Sequence, residues 1–133
     1  PITYREFTSV RHIFEASGIV ETMEDDQINE ITSVSGSGPA YVYALILSMI
    51  KGAVAQGIDK KVATELVIQT VAGSVAALEK TGEDPEFALR KICSPNGTTL
   101  AAIDVFEKRG FDQTVADAML ACTRRAAELG KEL

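Results

Sequence analysis

The 133-residue sequence contains no Trp, and aromatic residues make up only 6% of it. A core without large rings has to be filled by Ala, Val, Ile and Leu. Their small volumes let helices approach closely, so the composition points to an all-α domain. Cations are the next shortage: 13 Lys and Arg stand against 19 Asp and Glu, for a formal net charge of −6. A phosphate backbone or an anionic bilayer is held by clustered cations. Here they are scattered, so neither nucleic acid nor a membrane is an expected partner, although one local site for a small anion stays open. Cysteine and histidine are scarce as well, with Cys93, Cys122 and His12 only. No C-x-x-C pair occurs, which argues against a zinc site and a disulfide framework and fits free thiols in a reducing cytoplasm. No metal is expected. Long apolar runs are absent too: Ala40 to Ile50 stops at Lys51, about half the length that spans a bilayer. No stretch reads as a signal peptide, and Pro1 with no Met before it fits an excised or processed piece.

What is present reads as one helical domain. Apolar residues at 46% and charged residues at 24% are ordinary for a globular protein with its own core. Phe7, Val10 and Phe14 fall at helical spacing within Tyr4 to Ser17, with Gly18 placed for a left-handed cap. Ile19 to Met23 is β-branched and reads as a short strand. Asp25 and Asp26 then open a helix, its N-terminus favouring negative charge. Pro39 suits the first position of the next helix, Ala40 to about Gln56. That helix is apolar almost all round and must be covered on every side; a second subunit is the expected cover. Gly57 ends it, and Asp59 caps a helix from Lys60 to Lys80 whose centre, Ala72 to Ala77, is small enough to predict close helix–helix contact. Pro85 to Ile92, Thr98 to Arg109 and Asp112 to Lys131 complete the helices. No repeat or flexible linker interrupts them.

Two segments can carry chemistry. Ser94-Pro95-Asn96-Gly97-Thr98-Thr99 runs directly into a helix. The first N–H groups of a helix lack intrahelical acceptors and the dipole there favours an anion. Gly97 allows close approach and two Thr hydroxyls add donors, so the segment suits a carboxylate or a single phosphate. Ordinary capping by Asn96 or Thr98 is the alternative reading. The other segment, Gly36-Ser37-Gly38-Pro39-Ala40-Tyr41, is not a nucleotide loop, since it neither follows a strand nor continues as G-K-[ST]. It reads instead as a corner where two glycines let backbones nearly touch. Cys93 has no accompanying base and is assigned to packing. His12 reads as a surface or interdomain residue, and Glu24-Asp25-Asp26 as a solvated helix start.

Together, Ser35-Gly36-Ser37-Gly38-Pro39-Ala40-Tyr41 and the later Ser94-Pro95-Asn96-Gly97-Thr98-Thr99 resemble pyrroline-5-carboxylate reductase, the last enzyme of proline biosynthesis. The likeness extends through Gly57, Gln69 to Gly73, Glu107 to Phe111 and Arg124 to Leu129. It covers essentially the whole chain from about Tyr4. One departure is Asn96, where the family usually has glycine; Asn is the residue that best tolerates a left-handed backbone after Gly.

The resemblance implies a helical bundle like the C-terminal domain of 6-phosphogluconate dehydrogenase, preceded by a helix–strand remnant of a Rossmann domain over residues 1–24. Residues 25–133 would form the dimerisation and substrate domain. It further implies reduction of 1-pyrroline-5-carboxylate to proline with NADPH or NADH. The cofactor would be held by a Rossmann domain this chain lacks, so none is expected on the chain itself. A homodimer or higher oligomer is implied. The substrate carboxylate would lie on the backbone of Gly97, Thr98 and Thr99, with the hydroxyls of Thr99 and Ser94 facing the substrate and Thr99 nearest the reacting nitrogen. Two alternatives are a stand-alone dimerisation or ligand-binding module and a hydroxyacid-type dehydrogenase. The second needs an Asn one turn after its catalytic Lys, and Ala55 stands in that position after Lys51.

Overall fold

The structure, a computed structural model, describes residues 2–131; Pro1 and residues 132–133, the outer limits of the two expected divisions, lie outside it. The described residues form helices and turns only. Helix α1 (Tyr4–Glu15) starts at Thr3, whose hydroxyl accepts from the Glu6 amide at 3.3 Å while the Glu6 carboxylate accepts from the Thr3 amide at 2.8 Å. The two orphan donors are thus satisfied reciprocally. The helix stops at Ala16, not at a left-handed Gly18.

The expected strand at Ile19–Met23 does not form. The segment has no partner among the described residues, and an extended chain becomes a strand only by pairing. Beyond it, the helix expected from Asp25 is broken into three kinds of turn. A 3-10 turn (Asp25–Gln27) leads into α2 (Ile28–Ile31), which widens into a π-helical turn (Thr32–Gly36). Hydroxyls explain the widening. Thr32 and Ser33 donate to the carbonyls of Ile28 and Glu30 at 2.8 Å, and Ser35 donates to Ile31 at 3.1 Å. Such back-bonding competes with the α ladder. The glycine corner therefore differs from expectation: a Cβ at Gly36 would touch only Thr32 of its own turn, and one at Gly38 would meet nothing.

Helix α3 (Gly38–Ala55) takes Pro39 in its first turn and is followed by Gly57 at φ 93°. Helix α4 (Lys60–Thr81) is capped by Asp59, which accepts from the amides of Lys61 and Val62, and closes on left-handed Gly82. Helices α5 (Pro85–Ile92), α6 (Thr98–Lys108) and α7 (Phe111–Leu129) follow. Gly110, at φ 66°, makes the α6–α7 corner and lets Phe106 stack on Phe111 at 5.0 Å. The antiparallel pair α3–α4 is one body and α7 packs on α2 and the π turn, while α1 and α5 lie broadly against no other element among those described.

The core is small. Ile50, Ala63 and Val67 are buried at the α3–α4 seam, with Ile46 and Ala53 against them, and Leu47, Leu66 and Phe87 are each more than half exposed. The chain presents 10995 Å² to solvent, where a folded monomer of 14.2 kDa should present about 6,800 Å². The small-residue stretch of α4 is exposed as well, and a Cβ on Gly73 would have open space among the described residues. By length and composition Asp25–Ala55 and Lys60–Thr81 each reach what a bilayer crossing requires, more than the run from Ala40 to Ile50 suggested. Both are uncovered because so little of the molecule folds back over them.

Candidate functional site

The site expected at Ser94–Thr99 begins as a tight turn. The Gly97 amide donates to the Ser94 carbonyl at 2.9 Å. Pro95 occupies the second position, where its fixed φ is wanted, and Asn96 the third, at φ 57°. A proline followed by a left-handed residue is the pattern of a type II turn. Asn96 is the one non-glycine residue with positive φ among those described. Gly97 is required for a different reason. A Cβ there would collide with the Ser94 hydroxyl and lie 2.9 Å from the Ser94 carbonyl oxygen.

This geometry corrects the expected cradle in one respect. The Gly97 amide is committed to the turn, so the donors left at the start of α6 are those of Thr98 and Thr99, with Leu100 behind them; the Ala101 amide already reaches the Gly97 carbonyl at 3.2 Å. Nor does ordinary capping occur. The N-cap is Gly97, and neither Asn96 nor Thr98 supplies a side-chain acceptor. By contrast, Asp59 and Asp84 close α4 and α5 with carboxylates. Thr98 is exposed and Thr99 half-buried, and the helix dipole there favours an anion. No hydrogen bond joins this turn to Ser35–Tyr41 among the described residues. Cys93 is half-buried beside the turn, and His12 lies on exposed α1, 4.0 Å from Glu15.

A second feature had no signal in the sequence. The Ser37 hydroxyl and the Cys122 thiol meet at 3.1 Å across 85 positions, where α7 crosses the π turn. The Tyr41 hydroxyl is buried next to them without a well-aligned partner. Burial chiefly, then the Cys122 thiol, pushes the Tyr41 phenol above its ordinary range; the Ser37 hydroxyl pulls slightly the other way. The Tyr41 ring also lines an apolar cleft of about 720 Å³, between Leu45 and Met49 of α3 and Phe106, Phe111 and Val115 at the α6–α7 corner. A smaller hollow of about 410 Å³ lies between Phe14, Ile19, Met23, Ile31 and Val34.

Comparison with known proteins gives these features a context. The profile of the family described as pyrroline-5-carboxylate reductase dimerisation matches residues 25–129. The pyrroline-5-carboxylate reductase of Synechocystis is 38% identical over 127 residues, covering 96% of this chain and 48% of its own length. Among solved structures, the reductase of Coxiella burnetii superposes with a TM-score of 0.90 at 31% identity, covering 96% of this chain and 48% of that one. Plasmodium falciparum pyrroline carboxylate reductase, solved with NADP bound, gives 0.88 at 31% identity, covering 97% and 52%. The chain thus spans about half the length of the relatives it matches.

Proposed function

Because this chain belongs to the pyrroline-5-carboxylate reductase dimerisation family, we propose that it is the substrate-binding and dimer-forming part of an enzyme that reduces 1-pyrroline-5-carboxylate to proline. The observation that carries this reading is the start of α6, where two amides without a protein acceptor follow the Ser94–Gly97 turn. The substrate carboxylate rests on the Thr98 and Thr99 amides. The Thr99 hydroxyl faces the ring nitrogen, and the Ser94 hydroxyl, held under Gly97, borders the same space.

The reductant is a nicotinamide dinucleotide, NADPH or NADH. The described residues do not fit it: no parallel strand and no Gly-rich strand–turn–helix is present among them, and such a turn is how a dinucleotide phosphate is held. We therefore assign these residues no part in hydride delivery. Their task is binding and orientation. A protonated imine already carries the positive charge that activates its carbon, so no strong general acid is needed from the protein and placement accounts for its contribution.

Residues 1–24 would be the closing unit of the neighbouring nucleotide-binding domain and residues 25–133 the substrate domain. The apolar hollow at Phe14, Ile19 and Met23 offers that neighbour a seat. A second copy of the chain is the partner that covers α3 and the cleft beside it, and free Cys93 and Cys122 suit a cytoplasmic setting.

Calorimetry with proline as the probe tests the reading. Heat of binding that disappears in Thr99→Val is expected. A folded dimer that takes up no proline would leave a pure dimerisation module in its place.

A further inference from the structure

Two features of the Ser94–Gly97 turn fall on adjacent positions. Residue 97 has no room for a Cβ, which would meet the Ser94 hydroxyl and carbonyl, so glycine stands there. Residue 96 has a left-handed backbone, at φ 57°, a conformation that glycine and asparagine tolerate best. With asparagine at this position, the chain acquires the dipeptide Asn96-Gly97.

That pair is chemically self-reactive. Asparagine is a thermolabile residue, because the backbone nitrogen of the residue after it can attack its side-chain carbonyl carbon and close a cyclic imide. A side chain on the following residue hinders that approach, and glycine has none. The Asn96 carboxamide is exposed and has no hydrogen-bond partner among the described residues. The restraint is the Gly97 amide, which donates to the Ser94 carbonyl at 2.9 Å. Attack therefore waits for local opening of the turn, which costs little in an exposed loop. The other asparagine of the chain, Asn29, differs in every respect: it is half-buried within α2 and is followed by Glu30, which has a side chain.

We propose that Asn96 is a site of spontaneous deamidation, restrained by the Ser94–Gly97 hydrogen bond. When the turn opens, the Gly97 nitrogen bonds to the Asn96 side-chain carbonyl carbon. The carboxamide nitrogen leaves as ammonia, taking the proton that Gly97 gives up. Water then opens either carbon–nitrogen bond of the imide and leaves aspartate or isoaspartate, with no change in oxidation state. The product carries one more negative charge, and isoaspartate also adds a carbon to the main chain. A carboxylate at residue 96 would occupy the field at the start of α6 and compete there with a substrate carboxylate, a consequence that rests on the reading of Thr98 and Thr99 given above.

The test stores the 133-residue chain in mildly alkaline, heavy-oxygen water, folded and in denaturant, and maps its peptides by mass spectrometry. Residue 96 should lose its amide nitrogen and take up heavy oxygen in the folded chain, faster in denaturant, while Asn29 stays intact. Asn96→Gly should take up none at that position. Converted chain should bind proline about two- to fivefold more weakly than fresh chain. An Asn96 that survives in the folded chain while the denatured chain converts fully would overturn the proposal, and so would equal conversion of Asn29. Equal rates folded and denatured would remove the restraint assigned to the Ser94–Gly97 bond. Fresh chain that binds no proline would remove the reading of Thr98 and Thr99 and leave the deamidation standing on the label alone.

Discussion

At the scale of single residues, the turn before α6 makes sharp demands. Gly97→Ala should abolish proline binding while leaving most of the helix content, since the added Cβ meets the Ser94 hydroxyl and carbonyl; circular dichroism and calorimetry on one sample would check both halves. In a polypeptide joining this chain to its nucleotide-binding part, Thr99→Val should lower turnover by about a hundredfold, the scale of losing one aimed donor at a reacting centre. Unchanged turnover would end the role of Thr99. Tyr41 gives a pH signature. Its phenol is raised in the folded chain, so the neutral form is the one folding favours. The associated stability is complete below the unfolded value near 10 and is lost as pH climbs through the folded value. Tyr41→Phe should flatten the alkaline limb of a stability–pH curve; an identical limb would contradict the assignment. Much of this scale was legible in the sequence. The left-handed backbone of Asn96 was legible through the glycine its family usually has there; Gly97 was read as room for a ligand, whereas its close neighbour is Ser94. Commitment of the Gly97 amide to Ser94 was not legible, because it depends on the turn's closure. The Ser37–Cys122 contact was not either, since residues 85 positions apart leave no periodic trace.

At the scale of elements, caps and spacing located the helices from Gly38 onward, and composition misled at Ile19–Met23 and where hydroxyls intervene. Asp59 sits where a cap was expected and accepts from two amides, at 2.9 and 3.2 Å. Asp59→Ala should therefore cost about 1 kcal/mol, readable as a shift in the denaturation midpoint of the α3–α4 pair. Helix α1 depends on its reciprocal cap. Hydrogen bonds from Thr3 hold the Glu6 carboxyl below its ordinary value of 4.5. That contribution is present above the ordinary value and fades as pH falls through the depressed one. Helical signal from α1 should therefore decline in acid, and in Glu6→Gln it should be weaker at neutral pH and insensitive to acid. The stretch from Ser33 to Pro39 reads in the sequence as a break between helices; the π turn at Thr32–Gly36 was not legible, because Ser and Thr are poor helix formers that can still close a wider turn with their own hydroxyls. Ile19–Met23 has the composition of a strand, yet composition cannot supply a neighbour, and none is present among the described residues.

At the scale of the whole molecule, the governing fact is surface. The chain exposes about 4,200 Å² more than a monomer of its mass should, and exposed apolar side chains lie on α1 and the segment after it as well as on α3, α4, α5 and the α6–α7 corner. An all-round apolar helix was legible in the sequence as a helix needing cover; which elements leave it bare was not. Two chains together carry about 8,400 Å² of such excess, more than the roughly 2,000–5,000 Å² in total that many obligate dimers bury, so an extensive association is required. A charge placed on the cleft should break the pair, so Leu45→Glu is expected to yield aggregated or unfolded material and not a stable monomer. The most direct measurement is the solution mass of the wild-type chain by light scattering at micromolar concentration. Twice the 14.2 kDa of one chain, or a multiple of that pair, is the expected result. A folded, cooperative species of 14.2 kDa would contradict the account.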